Sequence, residues 1–266
     1  MKRNIIGIIG GGNMGEALIK GLLGKKLFLP SGILVCEADA ERAGQLKNKY
    51  RIGIGSLDAV IAQSSTVILA VKPQDMENVL SQIGEYNKLF ITIAAGLTTQ
   101  YFEKRLGGKA RVVRAMPNMP ALIGEGITAI CKGRYATSTD LREAGRILVA
   151  VGETLVVEEK YMDAVTAVSG SGPAYVFLFV EQWIAAAKSL GLNEKDAQNL
   201  IYATLTGSAH LLKKAEFSAS DLRTKVTSKG GTTQAAMDVF LKGNTFSKLM
   251  KNALSSANKR AKELAK

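Results

Sequence analysis

The sequence predicts an α/β protein in two parts: a doubly wound, mostly parallel sheet over residues 1–160, then an all-helical domain over residues 161–266. Three observations carry this. Short β-branched runs alternate with helical segments through the first part, the rhythm of βαβ units. Strand signals stop after about Lys160. A glycine-rich turn, Gly10-Gly11-Gly12-Asn13-Met14-Gly15, joins the first strand to the first helix.

Ile5–Ile9 is apolar on both faces, as a buried parallel strand is. A helix follows over Met14–Leu23, then a strand over Ile33–Cys36 and a helix over Ala40–Tyr50. Val67–Val71, Phe90–Ile93 and Arg111–Ala115 give the third, fourth and fifth strands. A helix over Asp140–Ala150, with Asp140 as N-cap and Glu143 as its N3 partner, separates two further strands. The second part opens with a helix over Pro173–Leu190, started by Gly-Pro. Val176 to Val180, Trp183, Ile184 and the alanines behind them make it apolar nearly all round. Such a helix must be buried on every side, which a domain of this size achieves poorly alone. It therefore predicts the core of a subunit interface. Asn193–Lys214, Ser220–Val226, Thr232–Phe240 and Thr245–Leu264 complete the helices, with Asn193, Ser220 and Asn244 as N-caps.

Composition is that of an ordinary globular protein, 47% hydrophobic and 22% charged over 266 residues. Cys36 and Cys131 are widely spaced and form no CxxC, which points to a reducing cytoplasm. Met1-Lys2-Arg3-Asn4 leads straight into the first strand, without the apolar region of a secretory leader. The longest apolar stretch, Ala174–Val180, is too short to span a bilayer, so no membrane partner is expected. The net charge of +12 is concentrated in the tail, where Lys242, Lys248, Lys251, Lys259, Arg260, Lys262 and Lys266 face only Glu263. Phe246 is the lone aromatic among them, which disfavours a base-stacking surface and hence a nucleic-acid partner. A solvated final helix with cations near its C-terminus accounts for the run.

Two turns carry chemistry. Gly10-x-Gly12-x-x-Gly15 follows a strand and opens a helix, the context a dinucleotide cradle requires. Gly10 allows the tight turn, Gly12 the approach of a pyrophosphate, and Gly15 close packing of helix on strand; Asn13 and Met14 begin the helix facing the phosphates. Glu37 ends the second strand, where an acid accepts hydrogen bonds from the ribose hydroxyls and repels a 2′-phosphate. The cofactor is thus NADH or NADPH, with Glu37 favouring NADH and Arg42 on the next helix softening that preference. Ala70-Val71-Lys72-Pro73, Ala94-Ala95-Gly96 and the loop containing Asn118 stand at strand ends, the ligand edge of such a sheet. The second turn, Val226 to Thr233, holds Gly230 and Gly231 ahead of a helix starting at Thr232. Amides of Gly231, Thr232 and Thr233 pointing at one spot would hold a carboxylate, with the Ser228 and Thr233 hydroxyls at the rim. An N-capped helix after a loop explains the same residues. His210, the only histidine, sits mid-helix without a cluster of partners. That argues against a metal site and a histidine acid, and so for a substrate that arrives protonated, such as an iminium.

Together these stretches, with Arg114-Ala115-Met116-Pro117-Asn118 and Ser169-Gly170-Ser171-Gly172-Pro173-Ala174-Tyr175, resemble the pyrroline-5-carboxylate reductase family in order and over nearly the whole chain. The resemblance implies a Rossmann domain followed by a helical substrate-binding and dimerisation domain, with dimers that often assemble into decamers. It implies hydride transfer to C5 of the cyclic imine to give L-proline. It assigns Gly230, Gly231, Thr232 and Thr233 to the substrate carboxylate, with Thr233 at the ring nitrogen and Ser228 in the same pocket. Three positions depart from the family's pattern: Lys229 where proline is usual, Glu37 where many members have a small hydroxyl residue, and Met119 where threonine is usual. A β-hydroxyacid dehydrogenase shares the first turn but needs a catalytic lysine, for which Lys188 is the candidate. Other cyclic-imine reductases and a non-catalytic dinucleotide-binding subunit remain as alternatives.

Overall fold

The computed structural model describes residues 5–107 and 109–265; Met1-Lys2-Arg3-Asn4 and Lys266 lie outside the described residues. The chain divides into one unit of Met1–Pro173 with Ala257–Lys266 and a second of Ala174–Ser256. By packing alone, the seam falls at residues 173/174, and the last residues belong with the first unit.

The first unit is an eight-stranded sheet: β1 (Ile6–Ile9), β2 (Ile33–Cys36), β3 (Gly53–Ile54), β4 (Thr66–Leu69), β5 (Leu89–Thr92), β6 (Arg111–Met116), β7 (Gly126–Lys132) and β8 (Gly152–Val156). Their order is β3-β2-β1-β4-β5-β6-β7-β8. Every pairing is parallel except β6 with β7. The two-residue β3 has no sequence signal of its own, so the expected third to fifth strands are β4 to β6. β1, β4 and β5 are buried at every position. Alternate residues feed two separate cores, as the period of two dictates. Ile6, Ile8, Ile68, Ile91 and Val113 pack with Leu18, Leu22 and Ile147. Ile9, Val67, Leu69, Phe90 and Val112 pack with Val60, Phe102 and Met76. Each such buried side chain contributes roughly 1.5–3 kcal/mol.

Helices Asn13–Gly24 and Ala40–Tyr50 lie where the sequence puts them. The helix expected over Asp140–Ala150 starts earlier, at Ser138. Its N-cap is Thr137, and Asp140 is the N3 partner of a capping box rather than the cap. Glu143 instead pairs with Arg146 at 2.7 Å. Between Met162 and Ser189 the chain runs Met162–Val165, a π-turn over Thr166–Gly170, and the helix Gly172–Ser189.

The second unit holds most of that helix, Glu194–Lys214, Ala219–Lys225, Thr232–Leu241 and the first part of Thr245–Leu264. Asn193 caps its helix as expected, accepting from Asp196 N at 2.9 Å. Two expected caps are corrected. Ser218, not Ser220, caps the third helix in a box with Asp221. Asn244 has φ +58°, left-handed, and ends a 3-10 turn over Lys242–Asn244 instead of capping. The small core of this unit is Ala187, Ala197 and Ile201 with Val180 and Ile184. The expectation that Gly172–Ser189 is buried on every side fails within one chain: Phe177 is 56% exposed, Leu178 57% and Phe179 43%. The helical run Glu159–Ser189 spans 31 residues and is by length and composition long enough to cross a membrane, although Ala174–Val180 alone is not.

Candidate active site

The glycine turn sits where the strand order reverses, between β1 and β4, the place where an open α/β sheet binds its ligand. Gly10 has φ +99°, and its N–H donates to Cys36 O at 2.8 Å. A side chain there would lie 2.7 Å from Ala70 O, so Gly10 lets the ends of β1, β2 and β4 close together. A Cβ on Gly15 would stand 2.1 Å from Gly10 O, and only glycine allows the helix to approach its own entry loop so closely. Gly12 is the helix N-cap, carries no side-chain cap, and a Cβ there meets nothing within 4 Å. Its exposed amide turn leaves the first N–H groups of the helix open to an anion. Gly11 fills the motif's variable position for a reason the motif does not contain: a Cβ there would meet Leu46 at 2.4 Å and Glu37 at 3.1 Å.

Glu37 follows β2, half-buried. Its carboxylate accepts from Gly11 N at 2.6 Å and from Asp39 N at 3.0 Å, which fixes its orientation against the cradle. Arg42 donates through Nε to Gly11 O at 3.0 Å and through Nη2 to Glu16. Glu16 also accepts from Tyr50 Oη at 2.7 Å and Lys49 Nζ at 3.0 Å. The Arg42 hydrogen bond, then that of Tyr50, holds the Glu16 carboxyl down to about 2. Sequence reasoning found Glu37 and Arg42 but missed Glu16, whose signal is an acid in the first turn of the cradle helix facing the basic last turn of Ala40–Tyr50.

Ala70 N donates to Ile9 O at 2.8 Å. Beyond it Val71 is half-buried and Lys72 and Pro73 are exposed; Pro73 opens a 3-10 turn to Asp75. Ala94 is buried, Ala95 exposed, and Gly96 has φ +76°. A Cβ on Gly96 would lie 2.9 Å from Leu264 O. Pro73, Ala95 and Gly96 line a cavity of about 570 Å³ with Gln74, Leu97 and Thr166. Asn13 and Met14 line a smaller one, about 280 Å³, with Pro117, Asn118 and Gly170. Asn118 Oδ1 accepts from Ile127 N at 3.0 Å, tying its loop to β7.

A buried charge cluster also escaped sequence reasoning. The Arg114 side chain on β6 is 4% exposed and pairs with Glu159 at 3.4 Å and Asp163 at 3.8 Å. Glu159 accepts from Thr99 N at 2.7 Å and Thr99 Oγ1 at 2.6 Å. The cluster fastens the sheet to the segment that leads into the π-turn and Gly170. Nearby Cys131 is pushed up to about 12 by burial and then by Glu159.

In the second unit, Gly230 has φ +72° and Gly231 caps the helix Thr232–Leu241 without a side-chain cap. One expected donor is spent: Gly231 N donates to Ser228 O at 3.0 Å and closes the turn. The helix-start amides beyond it are those of Thr232 and Thr233. Gly230 N donates to Gln234 Oε1 at 2.7 Å, a brace the sequence signals through a glutamine three residues after the cap. A Cβ on Gly231 would stand 2.5 Å from Ser228 Oγ, so that hydroxyl lies against the turn. Lys188 Nζ pairs with Glu194 at 2.9 Å, both side chains about half exposed, which leaves it ill-suited to act as a catalytic lysine. His210 is exposed on Glu194–Lys214.

Comparison with known proteins agrees over the whole length. Residues 159–264 match the family model described as pyrroline-5-carboxylate reductase dimerisation. Residues 5–96 match that described as NADP oxidoreductase coenzyme F420-dependent. The chain is 38% identical to a pyrroline-5-carboxylate reductase of Mycobacterium tuberculosis, covering 97% of this chain and 96% of the relative. It is 39% identical to one of Synechocystis, covering 98% of each. Its fold superposes on the reductase structure from Coxiella burnetii with a TM-score of 0.94 at 35% identity, covering both chains fully. A Plasmodium falciparum pyrroline carboxylate reductase with NADP bound gives 0.87 at 30%, again over both full chains. The chain belongs to the pyrroline-5-carboxylate reductase family.

Proposed function

We propose that this protein reduces L-1-pyrroline-5-carboxylate to L-proline with NADH or NADPH, the last step of proline biosynthesis. The observation that carries the reading is the full-length likeness to reductases of that name in a chain that keeps both turns, Gly10–Gly15 and Ser228–Thr233. The cradle fits a dinucleotide: Gly12 leaves open space over an uncapped helix start, and the sheet reverses its strand order there. In our reading Gly10, Gly12, Asn13, Met14 and Gly15 hold the pyrophosphate and Glu37 the ribose. Ala70–Pro73, Ala94–Gly96 and Asn118 flank the nicotinamide side. The cofactor, when bound, supplies a hydride to C5 of the imine; the C=N electron pair passes to nitrogen, which becomes the amine of proline.

The chain's own groups do the rest. The Thr232 and Thr233 amides, at a helix N-terminus, hold the substrate carboxylate. Gly231 gives the turn its shape and Gly230 its left-handed corner. The Thr233 hydroxyl meets the ring nitrogen, and the Ser228 hydroxyl stands beside it. An imine that arrives protonated needs no histidine acid.

Glu37 favours NADH, because a carboxylate facing the ribose repels a 2′-phosphate. Glu37→Ser should move the ratio of catalytic efficiencies toward NADPH; an unmoved ratio removes Glu37 from that role. We assign residues 161–266 to substrate binding and dimerisation. The exposed apolar side chains of Gly172–Ser189 are then covered by a second copy, in place of lipid, and a cytoplasmic location is part of the same reading. Mass in solution by light scattering tests this: a monomer refutes it, and the same measurement reads whether five dimers assemble.

The deciding assay follows loss of reduced-nicotinamide absorbance with pyrroline-5-carboxylate, in parallel with NADH and NADPH, and identifies proline as product. Turnover with either establishes the reaction. A folded protein that binds dinucleotide but turns over with neither refutes it.

A further inference from the structure

We infer that Glu16 is a specificity-positioning residue: it holds Arg42 against the glycine turn and so withholds the guanidinium from a 2′-phosphate. The inference rests on the dinucleotide reading of the cradle and adds a residue that reading does not use.

Three contacts carry it. An arginine near the end of the second strand is the usual partner of a 2′-phosphate in this kind of sheet. Here Arg42 is already committed, through Nε to Gly11 O and through Nη2 to Glu16. Glu16 is itself fixed on its other oxygen by Tyr50 and by Lys49, another cation of the same helix. One carboxylate therefore engages both. The glycine turn is gripped from two sides, Gly11 N by Glu37 and Gly11 O by Arg42. An arginine so placed supports the turn's shape for either cofactor. Serving a 2′-phosphate with Nε or Nη2 means leaving these contacts, of which the charge-assisted pair with Glu16 is worth about 1.5–3 kcal/mol, or roughly tenfold or more in affinity. Glu16 remains ionised at any working pH, since its carboxyl is held near 2.

The consequence is that Glu37→Ser alone exposes a ribose pocket with no free guanidinium. Adding Glu16→Gln removes the charge that holds Arg42 and so loosens the pair. Dissociation constants of NADH and NADPH are measured by calorimetry for the full-length oligomer carrying E37S, E37S/E16Q and E37S/E16Q/R42A, with thermal midpoints recorded. The expected result is a further shift of the NADPH-to-NADH affinity ratio of about tenfold on adding E16Q, and its loss on adding R42A. A shift that survives R42A would mean that Glu16 acts by plain repulsion and would overturn the inference, as would a ratio within twofold of E37S. Should E16Q fold poorly, R42A in the natural background decides. Withheld, Arg42 contributes nothing to NADPH preference and the ratio stays within twofold; a fall in NADPH affinity relative to NADH overturns the inference. Binding of neither dinucleotide by the natural protein would instead sink the cradle reading itself, and the inference with it.

Discussion

Replacing Gly12 by alanine separates what the cradle does for the fold from what it does for a ligand. The backbone at Gly12, φ −64° and ψ −170°, is open to alanine. A methyl there meets nothing within 4 Å. Loss of glycine from the N-cap costs at most about 1 kcal/mol, and a stiffer unfolded chain returns about 0.4–1 kcal/mol. Stability should move by less than about 1 kcal/mol. Binding should suffer far more, because the space that the protein leaves empty is the space a pyrophosphate needs. Amide-to-phosphate hydrogen bonds act at roughly 2.9 Å, and a methyl that forces an ångström of displacement breaks at least one. With about 1.5–3 kcal/mol per charge-assisted bond, NADH should bind about tenfold more weakly or worse. Gly15→Ala is the contrasting case: its Cβ would lie 2.1 Å from Gly10 O, so fold and binding should fall together. Calorimetric titration with NADH beside urea unfolding checks both. If Gly12→Ala keeps NADH affinity within threefold of the natural protein, no pyrophosphate lies over Gly12 and the argument fails.

The remaining predictions concern the second turn, the charge clusters and the thiols. Thr233→Ala should lose turnover while NADH affinity stays unchanged; intact turnover with weakened cofactor binding would overturn its assignment. Arg114→Met should cost about 2 kcal/mol, below the 3–5 typical of a broken buried pair, because Glu159 keeps both Thr99 donors and is 31% exposed. Denaturant unfolding at fixed protomer concentration measures this, and a loss under 0.5 kcal/mol would show the cluster to be dispensable. The Glu16 carboxyl is depressed in the folded state, so its stabilisation is present above about 4.5 and lost as pH falls toward about 2. The stability gap between the natural protein and Glu16→Gln should therefore narrow across that window; a gap independent of pH would remove Glu16 from the acid transition. Cys131, buried and pushed up to about 12, should react with a thiol reagent at pH 8 only on unfolding; prompt reaction of both thiols in the folded protein would contradict its burial.

How much of this was legible in the sequence follows from the range of the forces involved. β1, β2 and the helices after them are set by local periodicity, and their predicted bounds differ from the observed ones by a residue or none. The reason for Gly15 is local, a backbone atom of its own turn, and Gly10 has a local reason in its positive φ beside a distant one at Ala70 O. Gly11 is different. Its want of a side chain answers to Leu46 and Glu37, more than twenty residues on, which no spacing rule contains. Asn193 was legible as a cap, but the sequence points to Asp140 and Ser220 where Thr137 and Ser218 cap, because these neighbours carry the same chemistry and the choice depends on which side chain meets the N3 amide. The exposed face of Gly172–Ser189 reverses the usual error, because its apolar pattern reports burial that a single chain does not supply.

The limits of pattern reading are clearest at polar contacts that consume a group. Motif logic counts donors and assumes that they are available. Gly231 N is a donor in the count, yet in the fold it closes the turn on Ser228 O, and the amides left for a carboxylate are those a step further into the helix. Arg42 is a cation in the count, yet Gly11 O and Glu16 already hold it. Glu37 is an acid free to meet a ribose in the count, yet two backbone amides orient it beforehand. In each case the residue type was readable and its commitment was not, because commitment depends on partners from other elements. That difference bears on function. A committed Gly231 holds the shape of its turn, and a committed Glu37 presents its carboxylate without first having to find its place. On the function proposed above, the cradle's selectivity would reside in the network around Gly11, because the glycine motif would accept either dinucleotide.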